Sequence, residues 1–229
     1  MILDPLYIIM ILPVILFSLW AQFKVKSIFS KYSSYNVSSG YSGKDAVRII
    51  LEKNGINNVR VEQTSGMLSD HYSPTQKVLR LSTKVFNSSS IAALGVAAHE
   101  AGHAIQHHQG LLIMRLWMSL ARPISIISNA ALWLLIIGSI MHFFQLALVG
   151  FFLFLGVVFF QIITLPLEFD ASNKAKKMLF EYGLISANEK QGVNDILNSA
   201  AMTYVAAAAA SITQLLYFAL RLGLFGRRD

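Results

Sequence analysis

There is no cysteine in the 229 residues. Disulfides are therefore excluded, and any metal ion has to be held by His, Asp or Glu rather than thiolate. Charge is also scarce: Asp, Glu, Lys and Arg make up 14% of the chain against 55% hydrophobic residues, well below the quarter usual for soluble domains. Acids are the rarer sign, 12 against 19 Lys and Arg, which leaves a net charge of +7. The basic residues form no run interleaved with aromatics, so nucleic acid is not an expected partner. In a chain of mean hydropathy +0.54 the positive excess reads first as a topology signal.

What is present centres on one helix. Ser88-Ser89-Ser90 before an apolar run is a helix start, and Gly110 is a helix stop. Inside lies His99-Glu100-Ala101-Gly102-His103. Residues four apart lie one above the other, so both imidazoles emerge on one side, as two nitrogen ligands of one Zn2+ require. Glu100 stands beside them, where a carboxylate can accept a proton from a metal-activated water. The approach to the motif is Ala92, Ala93, Gly95, Ala97 and Ala98, small and apolar, so the ionisable trio is expected to be buried or half buried, and buried charges need a partner or a metal.

Leu6 to Phe23 is uncharged and about long enough to span, at roughly 20 residues per crossing. Positive residues follow it, at Lys24, Lys26 and Lys31, while Asp4 precedes it. That pattern predicts a permanent anchor with its C-terminal end in the cytoplasm rather than a cleaved leader. Tyr32 to Gly43 reads as a linker, and Ser42 with Asp45 opens an amphipathic helix that runs to Gly55. Asn58 to Gln63 and Lys77 to Ser82 alternate apolar with polar, as half-exposed strands do, around a Thr64 to Thr75 loop holding Asp70-His71-Tyr72. These strands serve either as an edge for an extended substrate or as a structural hairpin. His71 reads first as a loop histidine, with a ligand or a hydrogen-bond donor as alternatives.

Ile124 to Phe144 and Leu146 to Leu167 form a second and third span, a hairpin with Gly150 and Gly156 open to close packing. The hairpin returns the chain to the face it left. Glu168 is the first acid afterwards, and Pro166 marks a helix start just before it. Glu168 is thus the leading third ligand and Asp170 its competitor; two residues apart on a helix, the pair do not face one metal together. Ser199 to Phe225, interrupted by Arg221 and followed by Arg227-Arg228, is either a fourth span or a helix packed on the others, since the arginines oppose an outward crossing. Tyr204 within it reads as a core or interfacial tyrosine, with oxyanion donation the alternative.

Asp70-His71-Tyr72, Val78-Leu79-Arg80-Leu81-Ser82, the run from Val96 to Gln106 around the motif, and the run from Leu165 to Ser172 together resemble the YugP-type membrane zinc metallopeptidases. The layout is also similar to the wider group of HtpX and CAAX proteases. The resemblance implies His99, His103 and Glu168 as ligands of one Zn2+ per chain and Glu100 as the catalytic base. The wider group carries an Asp four residues after the ligand Glu; here Ser172 stands at that position, so support for the ligand imidazoles has to come from Ser172, Asp170 or elsewhere.

The expected fold is a mainly α membrane protein with a small α+β zincin-like catalytic unit at the membrane face. Residues 1–23 form the anchor, 24–122 the catalytic part, 123–167 the transmembrane hairpin, and 168–229 the third-ligand helix and C-terminal apolar helix. The expected function is that of a zinc-dependent endopeptidase in the bacterial cell membrane, with its site facing the cytoplasm and with protein or peptide substrate and membrane lipid as partners. The alternatives are an inactive scaffold or chaperone-like binder, and an intramembrane site-2-type protease.

Overall fold

The computed structural model describes residues 4–66 and 69–225. Arg227 and Arg228, and Met67 and Leu68 of the expected loop, lie outside the described residues. The helices are α1 (Pro5–Tyr32), α2 (Gly43–Lys53), α3 (Thr83–Phe86), α4 (Ile91–His108), α5 (Leu112–Ile140), α6 (Phe144–Glu181) and α7 (Lys190–Arg221); the strands are β1 (Arg60–Thr64), β2 (His71–Ser73) and β3 (Val78–Ser82). Among the described residues four helices, α1, α5, α6 and the one ending at Arg221, are long and apolar enough to cross a membrane, and the strands form one small sheet, so the chain is a mainly α membrane protein. Contacts divide it into two units: Met1–Ala21, Leu116–Leu165 and Thr203–Asp229 in the first, Gln22–Arg115 and Pro166–Met202 in the second.

In the first unit, segments of the four long helices bury a core of Ala131, Leu135, Ala147, Phe151, Phe154, Tyr217 and Phe218 and expose Ile126, Trp133, Phe152 and Phe159 outward. An outer surface this apolar is the one a lipid environment favours. Close packing of α5 on α6 depends on glycine: a Cβ on Gly150 would meet Leu135 N at 2.6 Å and Ala131 O at 2.9 Å. Gly156, expected to do the same, has nothing within 4 Å of such an atom. At one end, Tyr217 Oη donates to Asp4 Oδ2 at 2.9 Å and Arg221 Nη1 lies 3.1 Å from the same oxygen. The start of α1 and the end of α7 are therefore together. Arg221 is charge-paired there rather than alone, which removes part of the sequence argument against a fourth crossing.

In the second unit, α2 begins on the expected capping box: Ser42 Oγ accepts from Asp45 N, and Asp45 accepts from Ser42 N. The expected linker is instead held in place. Val37 N donates to Ser89 O, Ile91 N to Tyr35 O, and Ser38 N to Glu189 Oε1. Sequence composition does not reveal such bonds, because the partners lie far along the chain. The strands differ from a simple hairpin. β1 pairs with β3 in parallel and β2 pairs with β3 antiparallel, so β3 is central and buried at every residue except Arg80. The three residues of β2 are too few to show an alternation, and this hid a strand inside the loop.

The helix start expected at Pro166 is absent. α5 runs through Pro123 and α6 runs 38 residues through Pro166. Apolar helices packed in bundles tolerate proline because neighbouring groups compensate the lost hydrogen bond. Gly150→Ala should lower unfolding stability by about 1–3 kcal/mol through backbone overlap, with Gly156→Ala near neutral; thermal unfolding in detergent checks the pair.

Candidate metal centre

α4 is built for burial. Ser90 Oγ caps it by accepting from Ala93 N at 3.2 Å, and Gln109 and Gly110 (φ +63°) end it. Ala97, Ala98, Ala101 and Ala104 are 0–1% exposed, so neighbouring elements pack close to its backbone. The closest approach is at the glycine of the motif: a Cβ on Gly102 would lie 2.8 Å from Ala171 O on α6. That contact places the start of the second unit's α6 segment against the motif.

The result is a compact donor set. His99, His103 and Glu168 offer ligand atoms all within 4.8 Å of one another, the one such His, Asp or Glu group among the described residues. Glu168 Oε2 lies 3.3 Å from His99 Nε2 and 3.6 Å from His103 Nε2. Donors about 2.0–2.1 Å from a tetrahedral ion stand roughly 3.3 Å apart, so the spacing matches one shared zinc. Glu168 Oε2 is buried yet accepts no hydrogen bond. A buried carboxylate oxygen without a donor is costly, and a cation between it and the imidazoles removes the cost.

The outer ring nitrogens are occupied. His99 Nδ1 lies 3.1 Å from Ser172 Oγ, and His103 Nδ1 lies 2.9 Å from Gln106 Oε1. Both Nε2 atoms thus face the carboxylate. Burial alone pushes the His103 imidazolium down, but the carboxylates of Glu168 and Glu100 outweigh it and raise its pKa to about 9. A metal entering this site displaces a proton there.

Glu100 points toward the sheet, where its Oε2 accepts from Tyr72 N at 2.9 Å. Tyr72 is itself tied down, with its Oη 2.8 Å from His107 Nδ1. Just before it, Asp70 Oδ1 accepts from Ser82 N at 2.7 Å, while Oδ2 is buried without a partner. Burial pushes the Asp70 carboxyl above its usual range, against the Ser82 N–H that lowers it.

Asp170 is not in the donor group: it accepts from Gln106 Nε2 at 2.8 Å and pairs with Lys174. His71 is also outside it, an exposed residue whose Nδ1 lies 2.8 Å from Ser69 O. Tyr204 lies on α7, 42% exposed. Sequence reasoning passed over Gln106 and the Tyr72 backbone as contributors. Gln106 had a usable signal, a polar residue three after His103 and seven after His99 on one helix face. The Tyr72 N–H had none.

The chain is 45% identical over 215 residues, 93% of its length and 95% of the relative's, to "Putative membrane protease YugP" of Bacillus subtilis (strain 168). No solved structure matches it. The model of the family described as "Putative neutral zinc metallopeptidase" matches residues 7–223, and the donor set fits that metal, so the chain belongs to this family of zinc metallopeptidases.

Proposed function

We propose that this membrane protein is an endopeptidase that holds one Zn2+ through His99, His103 and Glu168 and uses Glu100 as its general base. The observation that carries the reading is the buried, unbonded Glu168 Oε2 facing two imidazole Nε2 atoms. When bound, Zn2+ supplies Lewis-acid polarisation of the scissile carbonyl and lowers the pKa of water to about 7. Tyr72 N–H holds one oxygen of Glu100, which fixes the plane of the carboxylate; Oε1 is then the atom that takes the proton from the attacking water. The same carboxyl returns that proton to the leaving amine. Ser172 and Gln106 keep the imidazoles turned inward.

The substrate class is protein or peptide, which meets the enzyme at a lipid surface. The location is the cell membrane, and the positive residues after the first apolar run, Lys24, Lys26 and Lys31, together with Arg122, support an orientation with those residues and the metal centre on the cytoplasmic side.

Metal analysis of detergent-purified protein should find about one zinc per chain, sharply reduced in Glu168→Ala; undiminished zinc in that variant moves the third ligand elsewhere. Glu100→Gln should retain zinc and lose roughly 10²- to 10⁴-fold of the cleavage rate on an unfolded substrate such as casein. Full cleavage by Glu100→Gln removes Glu100 from the mechanism, and a protein with neither zinc nor cleavage is a scaffold instead. A reporter active only outside the cytoplasm, fused after Lys31, should be silent; an active fusion reverses the orientation.

A further inference from the structure

We infer that Gln106 is a positioning residue that both dictates which nitrogen of His103 meets the metal and joins the helix of the two histidines to the backbone of the third ligand. The inference rests on the zinc reading above. Gln106 is 0% exposed, deep among small residues of α4. A buried amide has one acceptor and one donor end, and its orientation follows from its neighbours. Here Nε2 donates to Leu167 O and to Asp170 Oδ2, both at 2.8 Å. A carbonyl and a carboxylate only accept, so the amide cannot be reversed without setting oxygen against two oxygens.

The consequence reaches the metal centre in two ways. First, Oε1 is left facing His103 Nδ1 at 2.9 Å, and as an acceptor it requires a hydrogen on that nitrogen. A ring that carries its hydrogen on Nδ1 offers its Nε2 lone pair to the ion. Second, Leu167 immediately precedes Glu168, so the bond to its carbonyl holds the backbone that delivers the carboxylate. One amide thus sets the aim of one donor and the placement of another. His99 has no equivalent: Ser172 Oγ lies 3.1 Å from its Nδ1, and a hydroxyl can donate or accept, so it imposes neither tautomer. Asp170 completes the chain, anchored by Lys174 Nζ at 2.5 Å.

The test is zinc affinity by chelator competition, together with the visible spectrum of the Co2+-loaded protein. Gln106→Ala should bind zinc about 10- to 100-fold more weakly, with Co2+ bands shifted at saturation, and Ser172→Ala should lose less. Gln106→Glu keeps the shape but faces its carboxylate toward Leu167 O and Asp170, and should also bind weakly. Adding Asp170→Asn gives that carboxylate an amide donor while it still accepts from His103 Nδ1, but leaves Leu167 O without its donor, so affinity should recover in part and the Co2+ bands should move back toward those of the wild type. Wild-type affinity in Gln106→Ala, or no recovery in the Gln106→Glu and Asp170→Asn pair, overturns the inference, and full recovery of affinity in that pair overturns its second half, the link to the Leu167 carbonyl. Should Gln106→Ala fail to fold, the Glu pair decides alone. Unchanged zinc in Glu168→Ala defeats the ligand assignment instead, whatever the Gln106 variants do.

Discussion

The contact between Gly102 and Ala171 is the constraint on which the site depends. The two histidines are fixed by the geometry of a single helix, but the third donor arrives from a residue 65 positions beyond His103, and it reaches them only because α4 and α6 approach to backbone distance. A side chain at position 102 would meet Ala171 O at 2.8 Å. Helices normally pack 8–10 Å apart according to the side chains between them, and the short end of that range needs glycine or alanine at the crossing. The small residues preceding the motif are buried as well, and a Cβ on Gly95 would lie 3.6 Å from Ile196 of α7. The polar residues of the crossing, Gln106 and Glu168, are 0% and 9% exposed.

Such a site carries a risk that is general to buried polar groups. In low-dielectric surroundings each satisfied hydrogen bond is strengthened and each unsatisfied atom is penalised. Most atoms here are satisfied: the Nδ1 atoms of both imidazoles, the amide of Gln106 and one oxygen of Glu100. Glu168 Oε2 is the exception in the donor group, and it points where a cation belongs. The sheet plays its part through backbone rather than side chains, since the Tyr72 N–H on the short strand β2 orients Glu100. The Asp70 carboxylate bonded to Ser82 N pins the start of that strand to the end of β3.

The first unit follows a different logic. Its surface is apolar, so little drives its helices together except packing and a few polar bonds. Gly138 and Gly150 bring α5 and α6 to backbone contact, with a Cβ on Gly138 meeting Ala147 N at 2.4 Å. Tyr217, buried and edge-on to Tyr7 at 4.8 Å, spends its hydroxyl on Asp4. That bond, with Arg221 beside it, holds Asp4 below the usual carboxylate range. Asp4 and Arg221 thus form a charge pair at a helix end.

By itself the sequence determined what short-range periodicity and composition can carry: the apolar runs, the capping box of α2, the start and stop of α4, and the His99, Glu100 and His103 face. Those features depend on residues within a few positions of one another, where helix geometry dictates the outcome. Tertiary structure decided the rest. It selected Glu168 over Asp170 for the donor group, gave Gln106 its role, turned an expected hairpin into a mixed sheet around β3, and ordered a segment that reads as a linker. It also carried α6 through Pro166, which reads as a helix start. Each of these rests on partners distant in the chain, whose meeting is set by packing that no local pattern encodes.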